Sequence, residues 1–310
     1  MAEKTSMSGW DILKNVFFVL IMIQILPDVF SGLKKMAVDA AKPKTQVGLV
    51  EVRGVILDSK RTVKHIQKLR NDDNIKAVMV KIDTPGGLPG ASQNIFQELL
   101  KCKAKKPIVV FIENLCASGG YYIAIAGNQI ISTPSAVVGS VGNVLQFPEL
   151  KKLANLWNVD VTIVKSGDYK TIGNPFEQTT DEQRAYLQQY SDDVYRQFTS
   201  DVAKYRALSL DDVKTWANGR IFTGSQALEL NMIDQIGSLT DAEFELKKLA
   251  EISNEIKYIA LPTPGIIQKL MSAQDDDTDT TEAETRVSNF CTSVIQKVIT
   301  SLQTNGITHL

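Results

Sequence analysis

The stretch PIVVFIENLCASGGYYIAIAG, residues 107–127, passes from an apolar, β-rich run directly into a helical pattern, and a single serine stands at the junction. Residues 107–115 have the composition of a strand, and GGYYIAIAG that of a helix. Ser118 lies between small residues and two glycines. Two readings stay open for it. It is presented for chemistry, or it is a small residue fitted into a tight strand-to-helix junction.

The same alternation extends outward. VGLVEVRGVI (47–56), IKAVMVKID (75–83), QIIST (129–133) and VDVTIVKSG (159–167) read as strands. TVKHIQKLR (62–70), SQNIFQELLKC (92–102), PELKKLANLW (148–157) and the long segment 180–208 carry apolar positions three and four apart and read as helices. Thr240 and Glu243 make a capping box for the helix DAEFELKKLAEI (241–252). The pattern predicts an α/β domain with at least partly parallel strands, in one compact unit.

Beyond that unit the composition changes. From Val16 to Leu26 only Gln24 interrupts an apolar run. Eleven residues at about 1.5 Å each cover only half of a ~30 Å hydrocarbon core, but residues 12–30 together are long enough to span it. A signal anchor, an interfacial helix and an uncleaved leader are the readings of this segment, with a buried packing helix as the plain alternative. Lys34, Lys35, Lys42 and Lys44 follow it, a charge bias that by itself keeps the following domain in the cytoplasm. DDDTDTTEAE (275–284) reads as a solvated acidic linker. After it, Val287, Phe290, Val294, Ile295, Val298 and Leu302 share one helical face. The organisation expected is therefore an N-terminal apolar segment and linker (1–46), a catalytic-sized domain (47–270), an acidic linker (271–286) and a C-terminal amphipathic helix (287–310).

Composition excludes several function classes. With a formal net charge of −1, the 310-residue chain offers no basic field for a nucleic-acid backbone. Three scattered cysteines without a CxxC argue against a disulfide framework, and the absence of HExxH or paired cysteines leaves no metal signature. No cofactor motif is present either: the glycine-rich KIDTPGGLPGAS (81–92) lacks the Lys-Ser/Thr of a phosphate loop.

A nucleophilic serine needs a base. The chain has two histidines: His65, read as a surface helix residue between Lys64 and Lys68, and His309, next to the last position. A Ser-His-Asp arrangement therefore has few ways to form. Lysine can substitute where burial disfavours its ammonium, and lowering its pKa from ~10.4 to ~7 costs about 4–5 kcal/mol. The segment VDVTIVKSGDYKTIGNP offers Lys165 and Lys170. The glycines of IDTPGG and Gly119, which follows Ser118, are positioned to let backbone N–H groups reach an oxyanion, at a helix start whose dipole favours negative charge.

In order, IDTPGG (82–87), ASGGYYIA (117–124), VGSVGN (138–143), VKSGDYKTIGNPF (164–176) and the NGRIFTGSQALELNMIDQIGS segment (218–238) resemble the signal peptide peptidase A family of serine peptidases. The resemblance covers residues 47–250. It implies a Clp-protease/crotonase-like fold, a repeated ββα spiral, and a serine/lysine dyad with Ser118 as nucleophile, Lys170 as base and Lys165 as the runner-up. It further implies an oxyanion hole from Gly87 and Gly119, and Ser140 as the residue that orients the lysine.

Asn143 and Asp168 depart from the family pattern, and an acid beside Lys170 favours the ammonium form. Members are membrane-anchored on the side opposite the cytoplasm, assemble as homo-oligomeric rings or domes in which neighbouring subunits can share the dyad, and cut remnant signal peptides. The expected partners are thus apolar peptide substrates, other copies of the chain, and a membrane through residues 12–30. Two rivals remain: a crotonase-like enzyme acting on a coenzyme A thioester, and an inactive membrane scaffold.

Overall fold

The computed structural model describes residues 43–261, together with individual helical positions between residues 10 and 34. Most of the apolar segment 12–30, the acidic linker, the C-terminal helix, Cys291 and His309 lie outside the described residues. Among the described residues no helix is long and apolar enough to cross a membrane.

Three ten-residue strands form the centre: β1 (Lys44–Arg53), β2 (Ile75–Thr84) and β3 (Ile108–Ala117). They pair in parallel, with Val50 beside Val80 and Val80 beside Val110. Helices α1 (Lys60–Asn71) and α2 (Pro89–Lys103) make the crossovers. Because both faces of the sheet are covered, β2 and β3 read as continuous apolar runs. Val78, Val80 and Ile82 join the core on the side of α1 and α2, where Ile66, Leu69, Phe96 and Leu99 are buried. Ala77, Met79, Val109 and Phe111 face the other way, toward Ala242 and Leu246 of α8 (Leu239–Leu249).

The far side of β3 is divided. Its first half pairs with β4 (Gln129–Ser132), and its last three residues pair with β5 (Val137–Gly139). β4 continues to β7 (Gln235–Ile236), and β5 to β6 (Ile221–Thr223), the one antiparallel pair among the described residues; β8 (Glu255–Ile259) lies beside β1. The chain passes from β3 to β4 through the short helix α3 (Gly119–Ala124). Ser118 sits where β3 ends against β5.

Four local expectations are corrected. Residues 159–167 form no strand: Val161 and Val164 are exposed, and the segment has no sheet neighbour, so its β-branched alternation has nothing to pair with. The helix predicted over 148–157 shortens to α4 (Lys151–Leu156). The capping box of α8 is Ser238 with Asp241, two residues earlier than Thr240 with Glu243. His65 is buried rather than on the surface, with Nε2 2.9 Å from the Leu49 carbonyl oxygen.

The long helical segment is α5 (Asp181–Arg206), opened by a Thr180–Gln183 capping box. Only its second half is docked in the core, through Phe198, Thr199 and Val202. The Tyr122 ring stacks on Phe198 at 4.6 Å and meets Phe96 at 5.0 Å, while its hydroxyl donates to Asp201. α2, α3 and α5 are thereby joined directly behind Ser118. The short helices α6 (Val213–Trp216) and α7 (Gly224–Glu229) flank β6.

Burial pushes the His65 pKa below its usual 6.5, the Leu49 carbonyl opposing and Lys68 adding to the effect. Between that value and the lower folded one the unfolded chain binds more protons, so stability is lost as pH falls below about 6.5. Thermal midpoints measured from pH 7.5 down to 5 are expected to fall, and His65→Gln is expected to flatten that part of the profile. A wild-type slope retained by His65→Gln would place the titrating group elsewhere.

Candidate active site

At the end of β3 the backbone makes an abrupt turn. Ser118 has φ 51° and ψ −121° and precedes the first residue of α3. Few L-residues occupy this region, and the cost is about 1–3 kcal/mol. Hydrogen bonds hold it: the Ser118 N–H donates to Gly139 O at 2.8 Å, and Tyr122 N–H donates to Ser118 O at 3.0 Å. A strand ending under a helix start thus places one side chain at the sheet's rim, facing a cavity of about 570 Å³.

Gly87, Gly119 and Ser140 line this cavity with Ser118. Gly87 lies against Ile56, whose N–H donates to Gly86 O and whose carbonyl accepts the Leu88 N–H. That pairing leaves the Gly87 N–H turned away from Ile56, and a Cβ at Gly87 would lie 2.2 Å from the Ile56 oxygen. A Cβ at Gly119 would lie 2.2 Å from Ser92 Oγ and 3.5 Å from the Gly87 nitrogen. Among the described residues neither the Gly87 nor the Gly119 N–H donates a hydrogen bond. Two free N–H donors close together beside a serine are the elements of an oxyanion site. Ser140 also has a positive φ, 52°, and its N–H donates to Arg220 O at 2.8 Å.

Lys170 is not among the residues lining the cavity. It is exposed, on a turn closed by its N–H bonding Gly167 O at 3.2 Å. That turn rests on the first half of α5: Gln183 Nε2 donates to Asp168 O at 3.1 Å, and the Tyr169 and Tyr186 rings are 5.1 Å apart. The cavity, by contrast, meets α5 at Tyr190, Val194 and Phe198. From Tyr186, which meets Tyr169, to Tyr190 on the cavity wall is one helical turn, roughly 6 Å at about 1.5 Å per residue.

Lys165 is engaged elsewhere, bonding Thr171 Oγ1 at 3.0 Å and Glu177 at 3.2 Å. Thr171 and Lys165 hold the Glu177 carboxyl below its usual range. Lys165 therefore fastens this loop. The Asp168 side chain makes no ion pair with Lys170 among the described residues, and Asn143 donates to Ser191 Oγ at 3.0 Å, tying the cavity rim to α5.

Sequence reasoning missed Ser92, Tyr122 and the α5 face of Tyr190, Val194 and Phe198, all of which line the cavity. The signal for the last three is their i, i+4, i+8 spacing, which is also the spacing of an ordinary core stripe. Tyr122 lies one helical turn beyond Ser118. Burial and the Asp201 carboxylate push its phenol far above its usual range, so it holds structure and moves no proton near neutral pH. Burial also raises the neighbouring Cys116 thiol, which removes it as a competing nucleophile.

Residues 101–253 match the model of Peptidase family S49. A protease-named protein of Synechocystis is 32% identical over 239 residues, covering 76% of this chain and 86% of that protein. One from Methanocaldococcus jannaschii is 32% identical over 197 residues, covering 64% of this chain and 63% of that protein. A protein of Enterococcus faecium named as a signal peptide peptidase is 32% identical over 190 residues, covering 61% of this chain and 55% of that protein. The chain thus spans less than two thirds of the length of the last two.

Proposed function

The chain belongs to peptidase family S49, and from that membership we propose that it is a serine endopeptidase that cleaves short apolar peptides, such as remnant signal peptides, with a Ser118/Lys170 dyad. The observation that carries the reading is Ser118 itself, held at φ 51° on the rim of a cavity beside two free N–H groups. The apolar side chains of Val144, Leu145, Val194 and Phe198 in the same cavity suit an apolar substrate.

In this mechanism Lys170 Nζ takes the Ser118 proton as Oγ attacks the scissile carbonyl, and Ser140 orients the lysine. The Gly87 and Gly119 N–H groups bind the oxyanion. Collapse expels the amine, which receives the proton from the lysine ammonium, and a water deprotonated by the same lysine releases the acyl group.

The lysine comes from a neighbouring copy of the chain. Lys170 is exposed and does not line the Ser118 cavity of its own chain. The segment leading to it carries exposed apolar side chains, Val144 at 74%, Leu156 at 78% and Val164 at 94%, together with Trp157. A second subunit covering this surface would both bury those groups and remove water from Lys170, as a lysine base requires. The assembly is a ring or dome, held at a membrane through residues 12–30, with the peptidase domain on the side opposite the cytoplasm.

The test is cleavage of apolar signal-peptide-like peptides by the full-length chain, read by mass spectrometry, with an active-serine phosphonate probe alongside. Cleavage and labelling at Ser118 are expected. A folded, assembled protein that shows neither would overturn the reading in favour of a scaffold, and turnover of a coenzyme A thioester in its place would favour the crotonase-like alternative.

A further inference from the structure

Ser92 lies on the first turn of α2, five residues after Gly87, in the wall of the Ser118 cavity and without surface open to water. Its hydroxyl donates to Leu88 O at 3.1 Å, but that carbonyl already accepts the Ser92 N–H at 3.1 Å. The hydroxyl is therefore not needed to satisfy a buried backbone group, and its removal would leave none unpaired. What it does uniquely is fill space. The point where a Gly119 Cβ would stand is 2.2 Å from Ser92 Oγ and 3.0 Å from Ser92 Cβ, so the serine is seated on the face of Gly119. Gly87 and Gly119 lie at the starts of α2 and α3, and Ser92 is the α2 residue wedged against the first residue of α3.

We propose that Ser92 is a positioning residue for the oxyanion site: its Oγ is the spacer that sets the separation of the Gly87 and Gly119 N–H donors. The proposal rests on the peptidase reading. Alanine is too short to hold the gap, and the first turn of α2 can settle toward Gly119. The donors then fit a tetrahedral oxyanion less well while the ground-state peptide, bound along the rest of the cavity, is little affected. A displacement of donors that remain present costs less than deleting one, so an effect of about tenfold follows.

The test compares the full-length protein with Ser92→Ala and Ser92→Cys, the second of which restores an atom at the γ position. For Ser92→Ala, kcat is expected to fall about tenfold with KM within about twofold, and affinity for a peptide aldehyde, which forms a tetrahedral adduct on Ser118, is expected to fall by the same factor. Ser92→Cys is expected to recover most of both losses. Unchanged kcat and aldehyde affinity in Ser92→Ala would overturn the proposal. So would joint loss of kcat, KM and thermal midpoint that cysteine does not restore, since that is the pattern of a merely structural residue. If the unmodified protein neither cleaves peptide nor binds aldehyde, the peptidase reading fails and this proposal falls with it; activity in the unmodified protein with no change in Ser92→Ala sinks this proposal alone.

Discussion

Replacing Ser118 with alanine is expected to lower kcat on apolar peptides by on the order of 10⁴-fold or more, while the thermal midpoint moves by no more than about 2 °C. The two halves of that expectation come from different parts of the structure. The bonds that hold the turn are made by the Ser118 backbone, to Gly139 and Tyr122, and alanine keeps both. The side chain makes no hydrogen bond among the described residues, so its loss leaves no buried group unpaired. Steady-state cleavage and a thermal melt on the same preparation check it. A variant that retains turnover would return Ser118 to the role of a packing residue at a tight junction.

Lys170→Ala is expected to be equally inactive, and the informative experiment mixes it with Ser118→Ala. Where each site takes serine from one subunit and lysine from its neighbour, random co-assembly of equal amounts gives a working pair at about a quarter of the sites. Roughly a quarter of wild-type activity should therefore appear from two inactive proteins that have been dissociated and reassembled together. A dyad contained within one chain predicts none. Separate preparations mixed without dissociation serve as the control, since exchange of subunits is what rebuilds the site. Failure to recover activity from demonstrably mixed assemblies would rule out the shared arrangement, and retained activity in Lys170→Ala alone would rule out the base.

Much of this was legible in the sequence because the central sheet is buried on both faces. IKAVMVKID and PIVVFIENL are nearly continuous apolar runs, and a strand pattern leading into a helix at Ser118 corresponds to what β3 and α3 do. The glycine motifs were legible for a similar reason: at Gly87 and Gly119 a side chain would collide with Ile56 or Ser92, so the local chemistry permits little else. Other features carried no local signal. β5, β6 and β7 are two or three residues long, and their pairing is imposed by β3 and β4 rather than by propensity. His65 lies between lysines that suggest a wet face, yet it is turned onto the Leu49 carbonyl. Residues 159–167 have strand composition but no sheet partner among the described residues, and Val159, Val161 and Val164 stay exposed. Ser92 is the extreme case. A serine on the first turn of a helix is commonplace, and only the contact with Gly119 distinguishes it.

Helix α5 has a consequence for when hydrolysis can begin. One rod of 26 residues presents the cavity wall on its later turns and carries the lysine-bearing turn on its earlier ones. With the proposed sharing of the dyad, a newly made chain is latent: its nucleophile waits for a neighbour's base. It would be harmless to the proteins around it during synthesis and transit. Specific activity would rise with local chain concentration instead of staying constant, and dilution would act as an off switch needing neither inhibitor nor pro-segment.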